Sequence, residues 1–230
     1  MIKKTFKRAF VDSIPVLTGY LFMGTAFGIL LQGKGFNALW ALLMSSTTFS
    51  GSMQFVEVSL LANAASYITA ASMAVMINIR YLFYGIAMLD KYKPLGKSKF
   101  YLAFLMTDET FALVCNGAPM GTDEKAYYHI LSMLNHSYWI IGSVFGALVG
   151  SVITFDTTGI DFAMTALFVV IFTEQLMTVK DKSSAIIGVF STALCLIVFG
   201  KDSFLLPSMI LIAVLLLLPE IIRERRNKNA

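Results

Sequence analysis

Long stretches without charged residues are the feature that most restricts the fold of this sequence. Uncharged runs of 17 to 30 residues occur at 13–33, 35–56, 58–79, 126–155, 183–200 and 203–219. Two further segments, 100–116 and 162–179, are apolar but contain acidic residues. A helix needs about 20 mostly apolar residues to cross a bilayer, and these runs lack the two-residue alternation of barrel strands. We therefore predict an all-α, polytopic integral membrane helical bundle with seven or eight hydrophobic segments.

The composition excludes the other common classes of protein. Charged residues make up 14% of the chain and apolar residues 57%, whereas about 25% of a soluble domain is charged. The apolar fraction is too high for a disordered chain. The two cysteines, Cys115 and Cys195, lie in apolar runs without a C-x-x-C spacing, which argues against a secreted disulfide scaffold. We predict a single transmembrane domain over residues 1–230, with 1–99 and 100–230 as candidate halves.

Basic residues are concentrated in three short clusters at the ends of apolar segments, at 3–8, 91–99 and 223–228. Lysine and arginine are enriched on the cytoplasmic side of membrane proteins. This rule predicts a plasma membrane protein with its N-terminus, its 91–99 loop and its C-terminal tail in the cytoplasm. The same distribution explains the net charge of +4 without a nucleic-acid partner.

The number of segments between these clusters predicts two interrupted helices. Three hydrophobic segments separate the first two clusters and five separate the last two, but clusters on one side require even numbers of crossings. We predict that the most polar segment of each half, around 45–54 and 107–110, is broken or re-entrant. Such breaks are tolerated where they line a cavity, and in transporters they often mark the substrate site. The alternative is seven crossings, with one basic cluster on the outer side.

Ionisable residues inside apolar segments are the candidates for function, because they are costly in a membrane. Five are well inside: Glu57, Arg80, Asp108, Glu109 and Glu174. One arginine cannot neutralise four carboxylates, so some must be protonated, solvated or bound to a cation. Ion pairs that only fix helix packing are the alternative interpretation. Asn78 and Arg80 could hold a carboxylate ligand, or Arg80 could extend to the membrane interface.

An amino acid zwitterion would find complementary groups in these segments. Glu57, Asp108 and Glu109 are candidate acceptors for its ammonium group. Backbone amides at a helix start near Gly51 and Ser52 are candidate donors to its carboxylate, and Gln54 could add a neutral hydrogen bond. We therefore predict that the segments around Gly51 and Asp108 face each other.

Coupling to a proton gradient would need a group that gains and loses a proton. Glu174, alone in an apolar segment, and His136 are the candidates. For each residue, a hydrogen bond that only supports packing is the alternative. The sequence has no Walker A motif, no H-E-x-x-H, no Cys/His cluster and no G-x-S-x-G. We therefore expect no enzyme activity, no cofactor and no metal site.

Glycines spaced four residues apart predict close helix contacts. Gly24 and Gly28 form one such pair, and Gly142, Gly146 and Gly150 form a double version. Glycines at this spacing leave a groove that a neighbouring helix can enter.

Four motifs resemble those of the AzlC family of membrane permeases. They are FSGSMQF at 49–55, NIRYLFYG at 78–85, TDETFAL at 107–113, and GIDFAMTALF at 159–168 followed by Glu174 and Gln175. They add Ser50 and Thr107 to the candidate substrate-binding residues. The resemblance implies the large subunit of a two-component exporter of branched-chain amino acids.

That resemblance also implies a partner, a small AzlD-type membrane protein of about four helices, for which the 142–150 glycines would be a docking surface. A secondary transporter is preferred over an ABC permease, because no segment resembles a cytoplasmic coupling loop. The alternatives are an uptake permease and a membrane subunit that regulates or assembles another complex.

Overall fold

The computed structural model describes residues 2–153, 169, 172–173, 176–177, 182–200, 204, 207–208, 210–212 and 214–216, and all of their regular secondary structure is helical. The chain divides into two compact units, Met1–Ile160 and Asp161–Ala230. The second contains α9, Ser183–Phe199. The first contains α1 Ile2–Gly33, α2 Ala38–Thr47, α3 Gly51–Ala62, α4 Tyr67–Asn78, α5 Arg80–Tyr92, a 3₁₀ turn Lys93–Leu95, α6 Ser98–Phe104, α7 Asp108–Val114 and α8 Glu124–Val152.

Both predicted helix breaks are present. The first separates α2 from α3 at residues 48–50, where Phe49 adopts a φ of 38°. A left-handed backbone is unfavourable for a bulky residue, but the Phe49 ring is 3% exposed and its burial holds the turn in place. The second break separates α6 from α7 at residues 105–107. Thr107 caps α7, because its Oγ1 accepts a hydrogen bond from the Thr110 amide at 3.3 Å.

Two further interruptions were not predicted. Residues 63–66 separate α3 from α4 inside the apolar run 58–79, which the sequence predicted as one segment. The apolar run 58–79 continues beyond Arg80, yet α4 and α5 meet at Ile79 with a bend of 47°. Among the described residues, α1 is the one helix that is by itself long and apolar enough to cross a membrane. The bent pair Tyr67–Asn78 and Arg80–Leu95 qualifies as a second span if its halves are counted together.

The glycine motifs of α1 and α8 pack against each other. A Cβ added to Gly28 would overlap backbone atoms of Ser143 and Ala147, and one added to Gly146 would overlap the backbone of Thr25. The predicted close helix contact is therefore confirmed. The expectation that the α8 glycines contact a small partner subunit was wrong. The Gly142–Gly146–Gly150 face is covered by α1 of the same chain, so it is not a docking surface for a small subunit.

Gly146→Leu is expected to destabilise the fold by about 3 kcal/mol, the upper end of the range for overpacked sites. The added side chain would meet backbone, which cannot rotate away, so α1 and α8 would have to separate. Thermal unfolding in detergent measures the effect. Gly19→Leu is the control, because a Cβ at Gly19 meets nothing within 4 Å. Equal stability of the two variants would contradict the tight α1–α8 contact.

Candidate functional site

Arg80 connects the two helix breaks. It is the first residue of α5, directly after the bend that ends α4. Its Nη1 lies 2.6 Å from Oδ2 of Asp108, and its Nη2 donates to Oγ of Ser52 at 2.9 Å. Ser52 is in the first turn of α3 and Asp108 is the first residue of α7. The segments around Gly51 and Asp108 are therefore brought together, as the sequence predicted, with the Arg80 guanidinium between them.

The break before α3 is held by residues at the α4–α5 bend. Ser50 donates through Oγ to Oδ1 of Asn78 at 2.7 Å, and the same Oγ lies 3.1 Å from the Tyr81 hydroxyl. Ser50 occupies the cap position of α3, but its side chain makes no capping hydrogen bond. The first turn of α3 therefore has no side-chain cap. We call Ser50, Ser52, Asn78, Arg80 and Asp108 the Arg80 cluster.

Asp108 and Glu109 take different partners, because adjacent residues of a helix point about 100° apart. Asp108 accepts a hydrogen bond from the Tyr84 hydroxyl at 2.6 Å in addition to its ion pair. Glu109 accepts one from the Tyr20 hydroxyl of α1 at 2.7 Å. The two acids therefore tie α7 to two different helices, α5 and α1.

Polar contacts continue from Glu109 toward α8. The Tyr20 hydroxyl lies 2.7 Å from Oγ1 of Thr107, and Thr107 Oγ1 donates to Thr110 Oγ1 at 3.1 Å. Asn135 Nδ2 donates to the same Thr110 oxygen at 3.0 Å. Asn135 is fully buried, and its Oδ1 has no partner among the described residues.

Three candidate residues lie outside these contacts. Gln54 is fully buried, accepts from Trp139 Nε1 at 2.6 Å and donates to Ser45 Oγ at 3.2 Å. Both ends of its amide are used within the protein, and its role as a ligand donor stays a prediction. Glu57 is half-buried further along α3, with the Thr48 side chain nearby.

His136 lies with Nε2 3.1 Å from the Ser45 carbonyl oxygen, and its ring centroid is 4.5 Å from that of Phe49. These contacts fit the packing alternative, and a coupling role for His136 stays a prediction. Glu174 lies outside the described residues, as does the motif at 159–168.

Three tyrosines complete the site, and none of them was predicted as a site residue. Tyr84 follows Arg80 by four residues, a spacing that places both on one helix face, so this signal was readable. Tyr81 follows Arg80 directly, and its ring centroid lies 5.4 Å from the guanidinium carbon. Tyr20 gave no signal, because its approach to α7 depends on how α1 packs.

A half-open pocket of about 280 Å³ lies between α5 and α6, and its lining is mainly apolar. Its lining includes Tyr81, which contacts Ser50, and two lysines of the basic loop. The Tyr92 hydroxyl is buried and has no partner among the described residues. The lining residues are Tyr81, Gly85, Met88, Leu89, Tyr92, Lys93, Lys99, Phe100, Ala103 and Met106.

Comparison with known proteins gives matches over most of the chain. Residues 15–153, which contain every residue of the Arg80 cluster, match the family described as AzlC protein. The chain is 42% identical over 208 residues to the "Branched-chain amino acid transport protein AzlC" of Bacillus subtilis, a match that covers 90% of this chain and 82% of that protein.

Other relatives are named as membrane proteins. An "Uncharacterized membrane protein" of Helicobacter pylori is 42% identical over 216 residues, covering 94% of this chain and 95% of the relative. The "Inner membrane protein YgaZ" of Escherichia coli is 30% identical over 151 residues, covering 64% and 62%. No solved structure matches the chain.

Proposed function

The chain belongs to the AzlC family, and we propose that it is a membrane permease that exports branched-chain and other small neutral amino acids. The observation that carries this proposal is the Arg80 cluster, where two interrupted helices meet around one arginine and one carboxylate. Interrupted helices with polar ends are a recurrent way to build a transport site. The name of the Bacillus relative supports branched-chain amino acids as the substrate class.

The cluster offers complementary groups for both charges of a zwitterion. The amides of the uncapped first turn of α3 and the positive end of its dipole suit the substrate carboxylate, with the Arg80 guanidinium beside them. Asp108 and Glu109 suit the ammonium group. Ser50, Asn78 and Thr107 supply neutral hydrogen-bonding groups around them.

The pocket between α5 and α6 suits the aliphatic side chain of the substrate. Its lining is mainly apolar, so a branched side chain would be removed from water there. Two lysines, Lys93 and Lys99, also line this pocket and would attract the carboxylate of an approaching amino acid.

The remaining parts of the proposal follow from the sequence. The chain would be multi-pass in the plasma membrane, with both termini and the 91–99 loop in the cytoplasm. It would work with a small AzlD-type membrane subunit and draw energy from an ion gradient, since it has no nucleotide-binding motif. Glu174 and His136 are candidate coupling groups. Uptake, and a role in regulating or assembling another complex, are the competing functions.

Efflux of preloaded labelled valine and leucine from cells tests the function. We expect efflux above the empty-vector level, stimulation by the small subunit and loss on addition of an uncoupler. Accumulation of external label instead of efflux would favour uptake. No movement of either amino acid, with or without the partner, would favour the regulatory role.

Gly85→Leu is expected to reduce leucine efflux about tenfold and alanine efflux much less. Gly85 lines the pocket, and a Cβ there meets nothing within 4 Å, so the new side chain would fill space without disturbing the helices. Overfilling a packed site costs about 1–3 kcal/mol, and 1.4 kcal/mol corresponds to about tenfold.

Gly188→Leu in α9 is the matched control, because a Cβ at that helical glycine also meets nothing within 4 Å among the described residues. An equal loss for leucine and alanine would show that the pocket does not hold the side chain.

A further inference from the structure

Asp108 and Glu109 are adjacent acids with unequal charge compensation. The ion pairs of the described residues join Arg8 to Asp12 and Arg80 to Asp108. Glu109 is half-buried, and its described partner is the neutral hydroxyl of Tyr20. Arg80 is therefore committed to Asp108, and Glu109 has no cation of its own within the described part of the chain.

A carboxylate removed from water is costly unless a proton or a cation compensates its charge. Two such species are present during amino acid export, a proton and the substrate's ammonium group. They would occupy the same carboxylate oxygens, so binding of one excludes the other. Exclusion at one site couples the two movements without a second binding residue, provided that the empty site does not cross the membrane, and the uncompensated charge of the empty carboxylate opposes that crossing.

We propose that Glu109 alternately binds a proton and the ammonium group of the exported amino acid, so that one proton moves inward for each zwitterion exported. This inference rests on the proposed function and assigns its coupling group. At the cytoplasmic side, the protonated carboxyl loses its proton as the ammonium group binds, and the ammonium keeps its own three protons. At the outer side, the amino acid leaves and the carboxylate takes up a proton. Each cycle therefore carries one positive charge inward.

The surroundings of Glu109 favour this role over a purely structural one. The charged and titratable groups that contact the site are Tyr20 of α1, Arg80, Tyr81 and Tyr84 of α5, and Asp108 of α7, with His136 of α8 against the Phe49 ring. Arg80 and Asp108 neutralise each other, and His136 is engaged with the Ser45 carbonyl. The tyrosines donate hydrogen bonds and contribute no positive charge.

Tyr20 acts as a positioning residue for this exchange. Its hydroxyl lies between Glu109 Oε2 and Thr107 Oγ1, at 2.7 Å from each. It can donate to the carboxylate when ammonium is bound and turn toward Thr107 when the carboxyl carries a proton. The hydrogen-bond network continues into α8 through Thr107, Thr110 and Asn135.

Substrate-induced proton release provides the direct test. Purified protein, with its small partner if efflux requires it, is mixed with valine in weakly buffered detergent solution containing a pH indicator. We expect up to one proton released per valine bound by the wild type and none by Glu109→Gln. In proteoliposomes, an inward proton gradient should accelerate valine export at least tenfold for the wild type and leave Glu109→Gln unaffected.

Glu124→Gln is the matched control. Glu124 also accepts a hydrogen bond from a tyrosine hydroxyl, that of Tyr128 at 2.6 Å, but it lies at the start of α8 outside the site. It should release protons and respond to the gradient as the wild type does. Tyr20→Phe should keep coupling but shift the pH at which valine export is half-maximal.

The outcomes separate this inference from the proposed function. Gradient-driven export by Glu109→Gln, or undiminished proton release, overturns the assignment of Glu109. If the Gln variant does not fold, Glu109→Asp replaces it and should shift the pH profile of export, whereas an unchanged profile overturns the assignment. If the wild type exports valine but does not respond to the proton gradient, the coupling inference is wrong and the proposed export function stands. A wild-type protein that moves no amino acid defeats the proposed function itself.

Discussion

Asp108→Asn is expected to reduce valine and leucine efflux at least about 100-fold, which corresponds to about 2.7 kcal/mol of lost transition-state stabilisation. The asparagine keeps a carbonyl oxygen that can accept from Tyr84, so the helix positions should change little. The charge of the cluster changes more, because Arg80 loses its counter-ion. A net positive cluster would repel the substrate's ammonium group. Initial efflux rates, normalised to the amount of protein in the membrane, measure this effect.

Asp12→Asn is a closely matched control for that variant. Asp12 accepts from Arg8 Nε at 3.0 Å and from the Tyr127 hydroxyl at 2.9 Å, so it has the same two kinds of partner as Asp108. It lies away from both helix breaks, and its loss should change efflux less than about twofold. Similar defects in the two variants would mean that the Arg80–Asp108 pair contributes only to folding.

The exchange Arg80→Asp with Asp108→Arg distinguishes folding from binding in one protein. The double variant again has an ion pair between positions 80 and 108, with the two charges exchanged, so it should be more stable than Asp108→Asn alone. It should not restore efflux, because the charges offered to the zwitterion would be interchanged. Recovery of efflux in the double variant would contradict the proposed binding role.

The helix breaks could be predicted because their cause is local. The 45–54 segment is rich in serine and threonine, whose side chains offer the backbone alternative hydrogen bonds, and Thr47 Oγ1 indeed donates to the Leu43 carbonyl at 2.7 Å. The break before Asp108 follows the same logic, with Thr107 as the cap. The bend at Ile79 lies between Asn78 and Arg80, whose partners Ser50, Ser52 and Asp108 are distant in the sequence. Its cause is therefore tertiary, and it was missed.

The partners of the charged residues could not be read from the sequence. Arg80 could have paired with any of four acids, and the choice of Asp108 depends on how α5 packs against α7. The separation of Asp108 from Glu109 follows from helix geometry, but the identity of Tyr20 as the Glu109 partner requires the position of α1. The hydrogen bonds of Gln54 to Trp139 and Ser45 could not be predicted either, because a buried amide and a ligand-binding amide look alike in sequence.

Trp139→Ala is expected to produce the largest loss of stability, about 3–5 kcal/mol for the cavity that it leaves. Trp139 is 2% exposed, and its ring lies 5.4 Å from that of Tyr20 and 6.3 Å from that of Phe27. Its Nε1 donates to Gln54 at 2.6 Å, and the space beside Gly51 is filled by its ring edge. The side chain therefore joins α1, α3 and α8 directly behind the Arg80 cluster.

Removal of Trp139 would also leave the Gln54 carbonyl oxygen buried without a donor, at a further cost of about 1–3 kcal/mol. We expect the midpoint of thermal unfolding in detergent to fall by roughly 10 °C or more, with little folded protein in the membrane. Trp139→Phe retains most of the ring contacts and loses the hydrogen bond, so its midpoint should lie between those of wild type and the alanine variant.

Trp40→Ala is the control, because the other tryptophan of the chain is 43% exposed and contacts Phe36 within the same short segment. Its removal should cost far less stability. An equally large fall of the unfolding midpoint for Trp40→Ala would mean that the loss of stability does not depend on the burial of the tryptophan. A small fall for Trp139→Ala would show that α3 keeps its position without the Trp139 contact. The position of the Arg80 cluster would then depend on the contacts of Arg80 itself.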